Sequence, residues 1–341
     1  MTNLAIVGTG MMADIIAKSV SEIDTEITVY AVLSRDEKKA KEFGRRFSIP
    51  ECRCYNDKES FFTDNNIDSV YIATPTSEKE KYLSYCIERN KHVLIEKPLP
   101  VSKNSIYLYE LAKQDNLVIM DATHCVHNSI FDKLEYLIDS YVGDIENIEV
   151  KFCWPSEYSS KSTKMNRELE PLGAMGDLGW YTARLLIELT KGNFKKFSHV
   201  IQNDAGTIIE SRITGYSGLT SFSLFSSYRG HTATQQAIIS GSKGEIIIND
   251  FIMPYWGSFV YGDVQRYTDV IVRFGMKPYL DLKKERIYFS NSQHIEMINN
   301  FCNAINSDDY KSRAWSNFNK SISTAKFLND SLNNSIKLKK Y

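Results

Sequence analysis

The sequence predicts an α/β amino-terminal domain on a doubly wound parallel sheet, residues 1–122, followed by an α+β domain, residues 123–341, with a large, open, mostly antiparallel sheet. Three observations predict this. Up to about residue 122, short and almost continuously apolar runs alternate with helical segments, as parallel strands covered on both faces do. After about residue 145 the apolar runs lengthen and several alternate in part, which suits antiparallel or mixed pairing. A chain of 341 residues also exceeds one ordinary core and calls for two.

In chain order, the first half reads "LAIVG" (strand), "ADIIAKSVSEI" (helix), "ITVYAVLS" (strand), "DEKKAKEFGRRF" (helix), "SVYIATP" (strand), "YLSYCIERN" (helix) and "HVLIEKP" (strand). The second half reads as strands at "IENIEVKFCW", "TIIESRITGY" and "TSFSLFSSY", with "AIISGSKGEIIIND" as a hairpin through glycine-containing turn residues. One long helix interrupts them, from about Asp177 to Lys191, with Gly192 as its stop. The tail from 294 returns to helical periodicity, and the polar segment 155–170 reads as a mobile loop. There is no internal repeat.

Composition excludes several classes. Charge is balanced, 41 basic against 42 acidic residues, so no global basic field recruits nucleic acid or a membrane surface. Six cysteines at 52, 54, 86, 125, 153 and 302 form no CxxC pair and sit beside no histidine run, so no metal is expected and a reduced, cytoplasmic chain is. No apolar stretch approaches the ~18 residues of a membrane span, and "MTNLAIVGTG" opens directly on a strand, with no basic stretch of the kind that begins a secretory signal. A small-molecule partner fits this balance. An open sheet exposes a broad face, so a homodimer or homotetramer is expected.

Gly8, Gly10 and Ala13 in "GTGMMA" follow the first strand and open the first helix. Glycines there permit a tight turn and close approach of a pyrophosphate, which sits on the helix amino end. The second strand ends "VLSRDEKK", with Ser34 and Arg35 where an NAD site places an acid, and Lys38 and Lys39 after them. That set receives a 2′-phosphate, so NADP(H) is preferred and NAD(H) possible. Ser34 with Glu37 is also a capping box, which needs no ligand.

"HVLIEKPLP" places Glu96, Lys97 and Pro98 just past a buried parallel strand, at the carboxyl edge where open α/β sheets bind ligands. A lysine there can stabilise charge or move a proton near a nicotinamide, and a solvated loop lysine paired with Glu96 is equally compatible.

The ordered set "GTGMMA", "IATP", "EKP", "GAMGDLGWY" and "GSKG" resembles the Gfo/Idh/MocA oxidoreductase family over nearly the whole chain. The resemblance implies a Rossmann domain, then an α+β domain, and hydride exchange between a nicotinamide and a carbinol or carbonyl, usually of a sugar. It implies cofactor contacts from Gly8, Thr9, Gly10, Met11, Met12, Ser34, Arg35, Lys39, Thr74, Pro75, Glu96 and Lys97. The family lysine corresponds to Lys97, its second-domain aspartate to Asp177 and its acid/base to Tyr181, where many members carry histidine. Tyrosine there is similar to the glucose-fructose oxidoreductase and dihydrodiol dehydrogenase branches. The chain departs from the family at Lys79, where a histidine is common, and at His124, Val126 and His127, where an aromatic and an arginine are.

A tyrosine of ordinary pKa, about 10, is a reluctant base at neutral pH; a nearby ammonium favours the tyrosinate, so Lys97 could lower the Tyr181 pKa, while Asp177 could orient the substrate or one of these two groups. His124, Trp154 and Arg167 are further substrate candidates, while His199, His231 and His294 read as ordinary surface or core residues. Helical spacing sets Asp177, Tyr181 and Arg184 on one stripe, either the chemical wall of a site or a cap at Asp177 with Tyr181 in the core. Gly173, Gly176 and Gly179 would keep the helix entrance slim for nicotinamide and substrate. The expected activity is an NADP(H)-dependent oxidoreductase of a sugar or cyclic polyol. The alternatives are a reductase or dehydrogenase of a non-sugar, of trans-dihydrodiol or tetrapyrrole type, and a non-catalytic dinucleotide sensor.

Overall fold

A computed structural model describes residues 1–23, 26–155, 163–230, 232–254, 266–277 and 280–339. The chain divides into two compact units, Met1–Thr123 with Gln293–Ile322, and His124–Ser292 with Ser323–Tyr341.

The first unit alternates strand and helix: β1 (Thr2–Val7), α1 (Met11–Ser21), β2 (Ile27–Leu33), α2 (Glu37–Arg46), β3 (Cys54–Tyr55), α3 (Lys58–Phe62), β4 (Ser69–Ile72), α4 (Thr76–Glu88), β5 (His92–Ile95), α5 (Lys103–Gln114) and β6 (Ile119–Asp121). All strand pairs are parallel and the order is β3-β2-β1-β4-β5-β6. The chain therefore starts at the centre of its sheet and reverses direction there, which leaves a crevice outside the carboxyl ends of β1 and β4. Leu4, Ile6, Val32, Tyr71 and Leu94 on the strands share one core with Ala13 and Ile16 of α1.

In the second unit the short helices α6 (Ser129–Asp132) and α7 (Leu134–Leu137) lead to β7 (Ile145–Cys153), followed by α8 (Gly173–Asp177) and α9 (Gly179–Leu189). The strands β8 (Phe194–Gln202), β9 (Ile208–Ser217), β10 (Thr220–Ser227), β11 (Thr234–Gly241), β12 (Glu245–Ile248), β13 (Tyr267–Arg273) and β14 (Leu282–Tyr288) come next. The chain closes with α10 (Gln293–Asn306), α11 (Asp308–Asn333) and β15 (Ser335–Lys339). The nine-stranded sheet runs β14-β13-β12-β11-β7-β10-β9-β8-β15. It is mixed: β7 with β10 and β8 with β15 are parallel, and the other neighbours antiparallel. Phe197 and Tyr216 are exposed side chains of β8 and β9, and Ile336 and Leu338 of β15.

Two features differ from the sequence reading. The helix expected from Asp177 to Lys191 is two helices broken at Leu178, so Asp177 ends α8 and the residue before α9 is Leu178, which has no side-chain oxygen to cap with. The sequence reading gave all of 123–341 to the second domain, whereas α10 and the first part of α11 pack with the first unit. Met297, Ile298, Phe301, Cys302 and Ala304 form the apolar stripe of α10, and it is buried in the core shared with α1. Of the loop read at 155–170, residues 156–162 lie outside the described residues, and Thr163–Met165 is a short 3-10 turn. His231 also lies outside them; His199 is half-buried on β8, and His294 is fully buried. Among the described residues no helix is long and apolar enough to cross a membrane, and no cluster of three metal-ligating side chains occurs.

Candidate functional site

In the first unit the turn after β1 is made by Gly8, whose φ of +114° suits glycine alone and whose N–H donates to Leu33 O at 2.9 Å. A Cβ there would lie 2.9 Å from Ala73 O, so the end of β4 crowds the turn directly. Gly10 behaves differently. It occupies the N-cap position of α1 in extended conformation with no side-chain cap, and a Cβ on it would meet nothing within 4 Å. The helix amino end is thus open and carries the positive end of the helix dipole. Thr9 and Met12 are half-buried and Met11 is exposed beside it. Thr74, past β4, has its hydroxyl oxygen shielded from solvent with no hydrogen-bond partner among the described residues. A crowded glycine turn, an uncapped helix and a hydroxyl awaiting a partner fit a dinucleotide pyrophosphate.

The second-strand end corrects one expectation. Asp36, not Ser34, caps α2, its carboxylate accepting from Lys38 N at 2.9 Å and Lys39 N at 3.3 Å. Ser34 Oγ accepts from Asp36 N at 3.3 Å, so no capping box with Glu37 exists. Arg35, Lys38 and Lys39 project to solvent with Ser34 half-buried beneath them. Ser34 is thus not the helix cap, and Arg35, Lys38 and Lys39 stand as three exposed cations after β2.

The segment Glu96-Lys97-Pro98 follows β5. Glu96 is buried and its Oε1 accepts from Tyr71 OH at 2.5 Å, so this carboxyl turns into the sheet layer. Burial raises its pKa, opposed by the Tyr71 hydrogen bond and by the charges of Lys97 and Lys79. Lys97 itself is half-buried, and the Lys97–Pro98 peptide is cis. Lys79, on α4, is only 1% exposed and donates to Pro98 O at 2.9 Å and to Thr76 Oγ1 at 3.3 Å. This buried ammonium ties the helix to the segment that carries Lys97. Pro75 is the residue preceding α4.

In the second unit, His124 opens a 3-10 turn after β6 and Tyr181 stands in the first turn of α9. They are 2% and 5% exposed, and Tyr181 OH lies 2.9 Å from His124 Nε2. Phe152 meets the Tyr181 ring edge-on at 5.7 Å, and Trp154, 40% exposed, meets Phe152 at 6.3 Å. His124, Trp154 and Tyr181 are thus brought into one chain of neighbours.

Asp177 goes elsewhere. Its Oδ2 accepts from Lys164 Nζ at 2.8 Å and from Tyr228 OH at 3.0 Å. Burial and the adjacent carboxylate push the Tyr228 hydroxyl far up, which keeps it a donor. Arg184, expected on the same stripe, is fully buried and pairs with Glu188 at 3.3 Å. Arg167 is exposed and lies over Gly206. The glycines also serve another purpose than the one expected. Gly173 has φ +48° and a Cβ would sit 2.3 Å from Ile208 O, while a Cβ on Gly179 would meet Ser226 Oγ at 3.1 Å. They admit the sheet, bringing α8 and α9 down onto β9 and β10. Lys164 and Tyr228 were missed by sequence reasoning because nothing local to "STKMN" or "FSSY" marks a partner for Asp177.

Residues 2–122 match the oxidoreductase family with the NAD-binding Rossmann fold. The chain is 27% identical over 184 residues to trans-1,2-dihydrobenzene-1,2-diol dehydrogenase of Mus musculus, covering 53% of this chain and 54% of that one. It is 27% identical over 234 residues to dTDP-3,4-didehydro-2,6-dideoxy-alpha-D-glucose 3-reductase of Saccharopolyspora spinosa, covering 67% and 69%. The fold matches a 3-ketoreductase from Actinomadura kijaniata, solved in complex with NADP and TDP-benzene, with a TM-score of 0.85, 17% identity, and coverage of 100% and 99%.

Proposed function

We propose that this chain, which belongs to the Gfo/Idh/MocA oxidoreductases, is an NADP(H)-dependent oxidoreductase of a sugar or cyclic polyol, with Tyr181 and Lys97 as its proton-transfer residues. The observation that carries the reading is the buried Tyr181 hydroxyl held 2.9 Å from His124 Nε2, a proton-transfer group kept in a dry, aromatic setting. Gly8, Gly10 and Thr74 would hold the pyrophosphate and its neighbourhood, and Ser34, Arg35 and Lys39 the 2′-phosphate, which supports NADP over NAD. When bound, the nicotinamide supplies or accepts the hydride.

The chain's own residues do the rest. Tyr181 protonates the nascent alkoxide in reduction and takes the hydroxyl proton in oxidation. Lys97 supplies a cation at the carboxyl edge of the parallel sheet, and Asp177, held by Lys164 and Tyr228, orients polar substrate groups. A second reading, a trans-dihydrodiol as substrate, is favoured by Phe152 against Tyr181 and Trp154 against Phe152, whose rings suit an aromatic or cyclohexadiene face.

A cofactor-reduction screen of sugars, nucleotide sugars, inositols and a trans-dihydrodiol, run with NADP+ and NAD+ side by side, tests both. The expected outcome is NADPH formation with at least one polyol or sugar, at higher kcat/KM than with NAD+. Turnover of the dihydrodiol alone selects the second reading, and no reduction of either cofactor by any substrate rejects both.

A further inference from the structure

We infer that His124 is the proton partner of Tyr181, a positioning residue that draws the tyrosine's proton away so that the imidazole, and not a standing tyrosinate, supplies the basicity. This rests on the reading of Tyr181 as the proton-transfer residue. The geometry is direct: Tyr181 OH and His124 Nε2 are 2.9 Å apart, and both residues are buried. Their rings stand 5.3 Å apart at 52°, and Phe152 covers the tyrosine from another side. A phenol of ordinary pKa is ionised in only about one molecule in a thousand at pH 7, whereas an imidazole is largely neutral and ready to accept a proton there. A neutral His124 protonated on Nδ1 presents Nε2 as that acceptor.

The step balances. In oxidation the substrate carbon gives up its hydrogen with the bonding electron pair to the oxidised nicotinamide, and the substrate O–H bond breaks as the carbonyl forms. The released proton bonds to the Tyr181 oxygen while the proton already there passes to His124 Nε2. Tyr181 ends as it began, a neutral phenol, and His124 becomes imidazolium, which later loses its proton to solvent. Reduction runs the same path backwards, with His124 starting protonated.

The first test needs no turnover. In protein labelled with 15N-histidine and assigned with His124→Asn, the His124 Nε2 signal is expected at an unprotonated, hydrogen-bonded position, moving by several ppm in Tyr181→Phe. An Nε2 signal that carries its own proton, or that ignores Tyr181→Phe, overturns the inference. The second test is kinetic: His124→Asn is expected to lower kcat about 10²- to 10³-fold with KM within about threefold, and imidazole added to His124→Ala to restore at least tenfold of the loss. A rise in KM matching the fall in kcat, with no rescue, leaves His124 a packing residue and overturns it. The reading of Tyr181 fails separately, through a Tyr181→Phe enzyme of unchanged rate. If neither His124 variant folds, the histidine Nε2 signal that moves between the wild type and Tyr181→Phe identifies itself as His124 by that shift, and the absence of any such signal overturns the inference.

Discussion

Tyr181→Phe is expected to lower kcat by about 10²- to 10⁴-fold, the range typical of losing a positioned general acid or base, with NADP+ affinity unchanged. Phenylalanine keeps the ring that Phe152 meets edge-on and fills the same buried space, so the loss falls on the hydroxyl alone. The substitution takes from His124 Nε2 its hydroxyl partner and so costs about 1–3 kcal/mol of stability, not enough to unfold the unit. Steady-state turnover together with a cofactor titration checks the split. A variant within a factor of three of wild type removes Tyr181 from the chemistry.

Lys79→Met should have the largest effect on stability. Methionine approximates the aliphatic stem but strips a 1%-exposed ammonium from Pro98 O and from the neighbourhood of the buried Glu96 carboxyl. Removing one member of a buried charged set costs roughly 2–4 kcal/mol, or about 5–15 °C in Tm for a unit of this size. The pH dependence has a definite sign. Burial raises the folded-state pKa of Glu96, so its contribution to stability is present below the ordinary glutamate value and lost as pH rises through the raised one. The hydrogen bond to Pro98 O is lost at every pH, whereas the attraction to Glu96 acts only where that carboxyl is ionised, so the deficit should be smaller at pH below the ordinary glutamate value than at pH above the raised one. Thermal melts of both proteins across that range check it, and an equal deficit at both ends contradicts the coupling. A fall in turnover beyond what the folded fraction explains would follow from displacement of the Lys97 segment.

What the sequence made legible, and what it hid, follows from the range of the forces involved. Strands β1, β2, β4 and β5 were readable because a parallel strand buried on both faces must be apolar throughout. Strand β14, "LKKERIY", buries Ile287 and leaves most of its length exposed at the sheet edge, so no apolar alternation announced it. Strand β3 has only two residues. Helix α10 was readable as a helix, but its apolar stripe says only that it packs, not on which unit. Gly8 was legible because a turn with φ near +114° imposes glycine, and Gly10 because it completes a spaced glycine pattern between a strand and a helix. The cap of α2 was misread because "SRDE" offers two side chains able to cap, and backbone geometry chose Asp36. Asp177 and Tyr181 looked like one helical stripe, yet the break at Leu178 and the partners Lys164, Tyr228 and His124 are tertiary. The Tyr181–His124 pair joins residues 57 apart, beyond any local pattern.

The central claim is that this chain binds NADP through the glycine turn of β1 and the cations that follow β2. Its most direct test is the melting temperature with and without each dinucleotide. At a hundredfold excess over Kd, NADP+ should raise Tm by about 5–10 °C, and NAD+ at the same concentration by clearly less. An unchanged Tm with both would contradict the account.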